Sequence, residues 1–81
     1  MNLEDILTLL IESLTTLNWK EPQDLLQVAN EVLYPLKESG EIFNYYFSMR
    51  QKDEEILLTV FLQKEESSSV ESWELGIQKT N

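Results

Sequence analysis

The apolar residues of this chain change period once, near Gly40, and that change constrains the fold more than any other feature. Before it, Leu3, Leu7, Leu10, Leu14 and Leu17 recur at spacings of four and three, the repeat of one face of an α-helix. After it, Phe43, Tyr45, Phe47 and Met49 recur at every second position, the repeat of a strand with one covered face. A helical half, residues 1–40, therefore precedes a strand half, residues 41–81.

Two helices fit the first half. Asn2 is a capping residue by type, and Glu4 and Asp5 complement the positive end of a helix that starts beside it. With Ile6 and Ile11, the five leucines fill an arc of roughly 140°, which leaves Leu9 outside. Asn18 tolerates left-handed backbone and is expected to close this helix, over about residues 3–17. Pro22 suits the first position of a second helix, in which Leu25, Leu26, Val28, Ala29, Val32, Leu33 and Leu36 cover roughly 160°. Pro35 lacks a backbone donor and predicts an end or kink by Tyr34, so the second helix is expected over about 22–36, with a terminal turn closed by Gly40. The link between the helices is short, which favours an antiparallel pair, and Trp19 within it is expected to cover the end of the core.

Three strands fit the second half, over about 42–50, 55–64 and 71–79. Phe43, Tyr45, Phe47 and Met49 share one face of the first. Ile56, Leu58, Val60 and Leu62 share one face of the second, and Trp73, Leu75 and Ile77 one face of the third. Placing Arg50 opposite Glu55 across a four-residue loop, and Lys64 opposite Glu71, sets these faces against one another along both pairs. A slip of one residue turns every core position outward, whereas a slip of two preserves the faces, so parity is specified more firmly than register. The expected fold is α+β: one domain over residues 1–81, with two N-terminal helices packed on one face of a three-stranded antiparallel meander sheet in the order ααβββ.

Two helices cover one face of such a sheet and leave the other in water. The same parity then exposes Ile42, Tyr46, Leu57, Thr59 and Phe61 together, with Tyr46 and Gly76 both opposite Thr59 and with Arg50, Glu55, Gln63 and Glu74 at the rim. An apolar centre inside a polar rim is the anatomy of a protein interface. These five residues are the candidate interface, and the expected partner is a protein, first of all a second copy in a homodimer.

Composition narrows the function. Fifteen Asp and Glu stand against six Lys and Arg, for a net charge of −9, and there is neither His nor Cys. Disulfides, thiolate nucleophiles, imidazole bases and Cys/His zinc sites are therefore absent, and self-association is the remaining staple for so small a chain. The carboxylate runs Asp53–Glu55 and Glu65–Glu66 fall in successive hairpin loops, at opposite ends of a meander, and do not converge. Only two glycines exist, too few for a phosphate-binding loop. No catalytic, cofactor or metal residues are assigned, and the chain is expected not to be an enzyme.

The outer face offers a single Arg, which argues against direct nucleic-acid binding. The acidic balance argues against anionic membrane surfaces, and no apolar run reaches the length of a membrane span. The N-terminal apolar run is flanked by Glu4 and Asp5 where a secretory signal carries basic residues, so a cytoplasmic protein is expected. The first alternative is an acidic inhibitor or immunity-type protein, with carboxylates that imitate nucleic acid or meet a basic protein. The second alternative is a small ligand-binding protein or enzyme.

Overall fold

The computed structural model describes residues 2–78. Its elements are α1 (Leu3–Thr15), α2 (Pro22–Glu38), β1 (Asn44–Lys52), β2 (Glu55–Gln63) and β3 (Glu71–Gln78). Both helices contact one sheet whose antiparallel strands lie in the order β1-β2-β3, with α1 against β3 and α2 against β1. This is the ααβββ arrangement of two layers that the change of period predicts. Among the described residues no helix is long and apolar enough to cross a membrane. Lys79, the last residue of the predicted third strand, lies outside the described residues.

Asn2 caps α1: its side-chain oxygen accepts from the Asp5 amide at 2.8 Å. Ile6, Leu10 and Leu14 are buried, while Leu9 is exposed, as its place outside the arc predicts. Ile11, at the edge of that arc, is exposed as well. The helix stops at Thr15, earlier than expected, and Asn18 does not supply a left-handed cap; the cap is Thr16 in right-handed backbone. The Thr15 and Thr16 hydroxyls donate to the carbonyls of Ile11 and Glu12 at 2.8 Å. The Thr16 amide also reaches the Glu12 carbonyl and the Leu17 amide the Leu14 carbonyl, so the helix closes on itself without a left-handed residue. Trp19 is buried in the link between the helices, at the end of the core.

α2 passes through Pro35 and ends at Glu38, two residues beyond the expected end. The missing donor at Pro35 is offset by the apolar contacts of Leu33 and Leu36 and by a well-made C-terminus. Gly40 adopts φ +84°, its amide donates to the Lys37 carbonyl, and the Glu41 and Ile42 amides both reach the Leu36 carbonyl. This is a Schellman closure, with Gly in the position that needs left-handed backbone. At the other end the Asp24 carboxylate accepts from the Lys20 and Glu21 amides at 3.0 Å each, and these bonds hold its pKa below the ordinary value.

The register differs from the expected one by two residues in both strand pairs. Lys52 lies opposite Glu55, and Leu62 lies opposite Glu71. Asp53 takes a left-handed φ of 56°, which closes the first hairpin over two residues and lets Gln51 and Lys52 join the ladder. In the second connection Gln63 donates to the carbonyls of Glu66 and Ser68. Parity survives the slip, as the faces require: Ile56, Leu58, Val60 and Leu62 are buried, against Ile6, Leu10, Leu14, Leu25, Ala29 and Leu33 of the helices.

Candidate functional site

The sheet's outer face is built by parity from odd residues of β2 and even residues of β1 and β3, on the side that carries no helix. At its centre Tyr46 and Phe61 are directly paired across β1 and β2. Their rings stack with centroids 4.6 Å apart and planes 15° from parallel. Tyr46 remains 51% exposed and Phe61 is half-buried beneath it. Thr59 lies between Ser48 and Glu74, and Leu57 between Arg50 and Gly76. The expected pairings of Tyr46 and of Gly76 with Thr59 are therefore corrected by the slip of two.

Four of the five predicted interface residues share this face: Tyr46, Leu57, Thr59 and Phe61. Ile42 does not. It is only 1% exposed and belongs to the core, whereas Phe43, expected to point inward, is 45% exposed. β1 begins at Asn44, so the alternation read through Ile42 and Phe43 does not apply to them. The Ile42 amide bonds to the Leu36 carbonyl, so this residue follows the Schellman closure onto the last turn of α2 instead of entering the ladder. The ordinary sequence signal is missing here, because the apolar residue that accompanies such a closure stands one position after the Gly, where this chain has Glu41.

Two further exposed apolar residues, Phe43 and Val70, stand just ahead of β1 and β3, at the Tyr46 end of the sheet. The Phe43 amide donates to the Gln63 carbonyl at 2.8 Å, which anchors that end. Val70 carries the same parity as the outer residues of β3, a signal obscured by its place in a polar loop.

Charge on the outer face is balanced. Arg50 and Lys52 on β1 are matched by Glu55 on β2 and Glu74 on β3, two of each sign in a chain of −9. Arg50 and Glu74 approach to 3.7 Å across β2, with both side chains largely in water. Gly76 leaves a bare floor into which the Glu55 carboxylate leans; a Cβ there stands 2.8 Å from Glu55 Oε2.

Elsewhere, a hollow of about 480 Å³ is lined by Tyr34, Lys37, Glu38, Phe43 and Lys64. The Tyr34 hydroxyl donates to Glu38 at 2.5 Å, which raises the tyrosine pKa. The carboxylate runs of the two hairpins lie at opposite ends of the meander. Among the described residues no group of three or more Asp and Glu is placed to hold a metal ion. Comparison with known protein families, with characterised proteins and with solved structures finds no match to this chain.

Proposed function

We propose that this chain is a non-enzymatic association protein that pairs with a second copy through the outer face of its sheet. The observation that carries this reading is the exposed Tyr46–Phe61 stack on a face whose charges cancel. Two copies at −9 repel one another wherever their acidic helices meet, so the balanced face is where like copies approach at least electrostatic penalty. Strands of eight or nine residues at about 3.3 Å each, three abreast at about 4.8 Å, give on the order of 400 Å² of flat face per copy. Two such faces with their side-chain relief bury on the order of 1,000 Å², the lower end of specific interfaces. Cytoplasmic residence belongs to the same reading.

Sedimentation equilibrium of the wild-type chain and of Phe61→Glu tests the reading. The wild type is expected to dimerise, and the variant to be monomeric with an unchanged far-ultraviolet circular dichroism spectrum. A monomeric wild type, or an equally dimeric variant, overturns the self-association; an unfolded variant overturns the assignment of Phe61 to a solvent face.

A second reading rests on the helices. Glu4, Asp5 and Glu12 on α1 have no basic counterpart there, and Asp24, Glu31 and Glu38 on α2 face only Lys37. An inhibitor of a basic protein would use those carboxylates. Its binding weakens steeply as salt rises, whereas apolar pairing of sheet faces does not.

A further inference from the structure

The central strand and its neighbour β1 bury their inner faces unequally. All four inner residues of β2 are buried, whereas Tyr45, Phe47 and Met49 of β1 are half-buried. α2 covers these three incompletely and leaves a groove of about 380 Å³ along β1, lined also by Leu26, Asn30 and the outer-face residue Tyr46. The Tyr45 hydroxyl donates to Asn30 Oδ1 across the groove. β1 is also an edge strand, so alternate residues direct backbone N–H and C=O groups away from the sheet. An apolar groove beside unpaired backbone is what strand addition uses: main-chain bonds hold the incoming segment, and its alternate side chains enter the groove.

β1 differs from every other element in charge. It carries Arg50 and Lys52 and no acidic residue, whereas α1, α2, β2 and β3 each carry more acidic than basic residues. Arg50 and Lys52 have outer-face parity. On an adjoining strand, the side chains beside them are those that do not enter the groove.

We propose that β1 binds an extended acidic peptide segment of another protein by strand addition. Apolar residues at alternate positions of the segment fill the groove against Leu26, Tyr45, Phe47 and Met49. Asp or Glu at the interleaved positions meets Lys52 and competes with Glu74 for Arg50. The far edge repels the same segment, because β3 carries Glu71 and Glu74. Tyr46 is common to this groove and to the outer face, and the behaviour of the peptide-free chain separates the two kinds of binding.

The test titrates the ¹⁵N-labelled full chain with the blocked heptapeptide Glu-Val-Glu-Leu-Glu-Val-Glu. Two control peptides accompany it, one with Lys in place of Glu and one with the same residues grouped instead of alternating. The alternating acidic peptide is expected to slow amide exchange at alternate residues of β1 and to bind about tenfold more tightly than either control. The double variant R50E/K52E, on exposed sites and checked for an unchanged circular dichroism spectrum, is expected to reverse the preference to the lysine peptide. Equal binding of all three peptides, shifts confined to the helices or the outer face, or no binding at millimolar concentration overturns the proposal. Concentration-dependent protection of the β1 amides in the peptide-free chain also overturns it, since a second copy then holds the edge.

Discussion

The ring of Tyr46 lies flat on the ring of Phe61, 4.6 Å away, on a sheet face that no helix covers. The two residues are directly opposed across β1 and β2, so the stack links the edge strand to the central strand on the solvent side. A double-mutant cycle with Tyr46→Ala and Phe61→Ala, followed by urea denaturation, is expected to give a coupling energy of about 1 kcal/mol. Strict additivity of the two substitutions contradicts the stack.

The two residues just ahead of β1 are expected to respond unequally to truncation. Ile42→Ala removes a fully enclosed side chain and is expected to cost about 2–5 kcal/mol. Phe43→Ala, at a half-exposed position ahead of the strand, is expected to change stability by under about 1 kcal/mol despite the larger residue lost. Urea midpoints of the two variants at equal m-value decide the order, and a Phe43 variant weaker than the Ile42 variant would mean that the alternation extends through both residues after all.

The two glycines also separate. Gly40 holds φ +84° with open space around a Cβ, so Gly40→Ala is expected to cost about 1–2 kcal/mol from backbone conformation alone. At Gly76 a Cβ meets only the mobile end of Glu55, and a strand position prefers a side chain. Gly76→Ala is expected to stay within about 0.5 kcal/mol of wild type, with thermal unfolding as the measurement.

Acid should weaken the start of α2. The amides of Glu21 and Lys20 donate to the Asp24 carboxylate and lower its pKa in the folded chain, while the unfolded chain titrates it at the ordinary value. Between the two values the unfolded state binds more protons. The contribution of this carboxylate is therefore complete above about pH 4 and is lost as pH falls through the lowered folded value. Asp24→Asn has no such proton to take up. Comparing the acid limb of stability for wild type and Asp24→Asn is expected to show a shallower fall in the variant.

Parity is a local property and was legible in the chain. Side chains alternate strictly along a strand, so the apolar sets around Tyr45, Leu58 and Leu75 could face the helices in only one way. Tyr46, Leu57, Thr59 and Phe61 came to the outer face with them. Register was not legible, because a two-residue shift keeps every apolar residue on its face. In the first hairpin Asp53 takes left-handed backbone, which shortens the turn and lengthens the ladder, whereas in the second connection the ladder ends two residues earlier, at Leu62 opposite Glu71.

The sequence by itself determined the division into two helices and three strands, the helix-facing side of the sheet, the Asn2 cap and the Gly40 closure. Each of these depends on residues a few positions apart. Only the tertiary structure decided that α2 continues through Pro35, that Ile42 rather than Phe43 enters the core, and that Tyr46 meets Phe61 rather than Thr59. These outcomes depend on where distant segments meet, and there the burial of Leu33, Leu36 and Ile42 between helix and sheet outweighs local backbone preference.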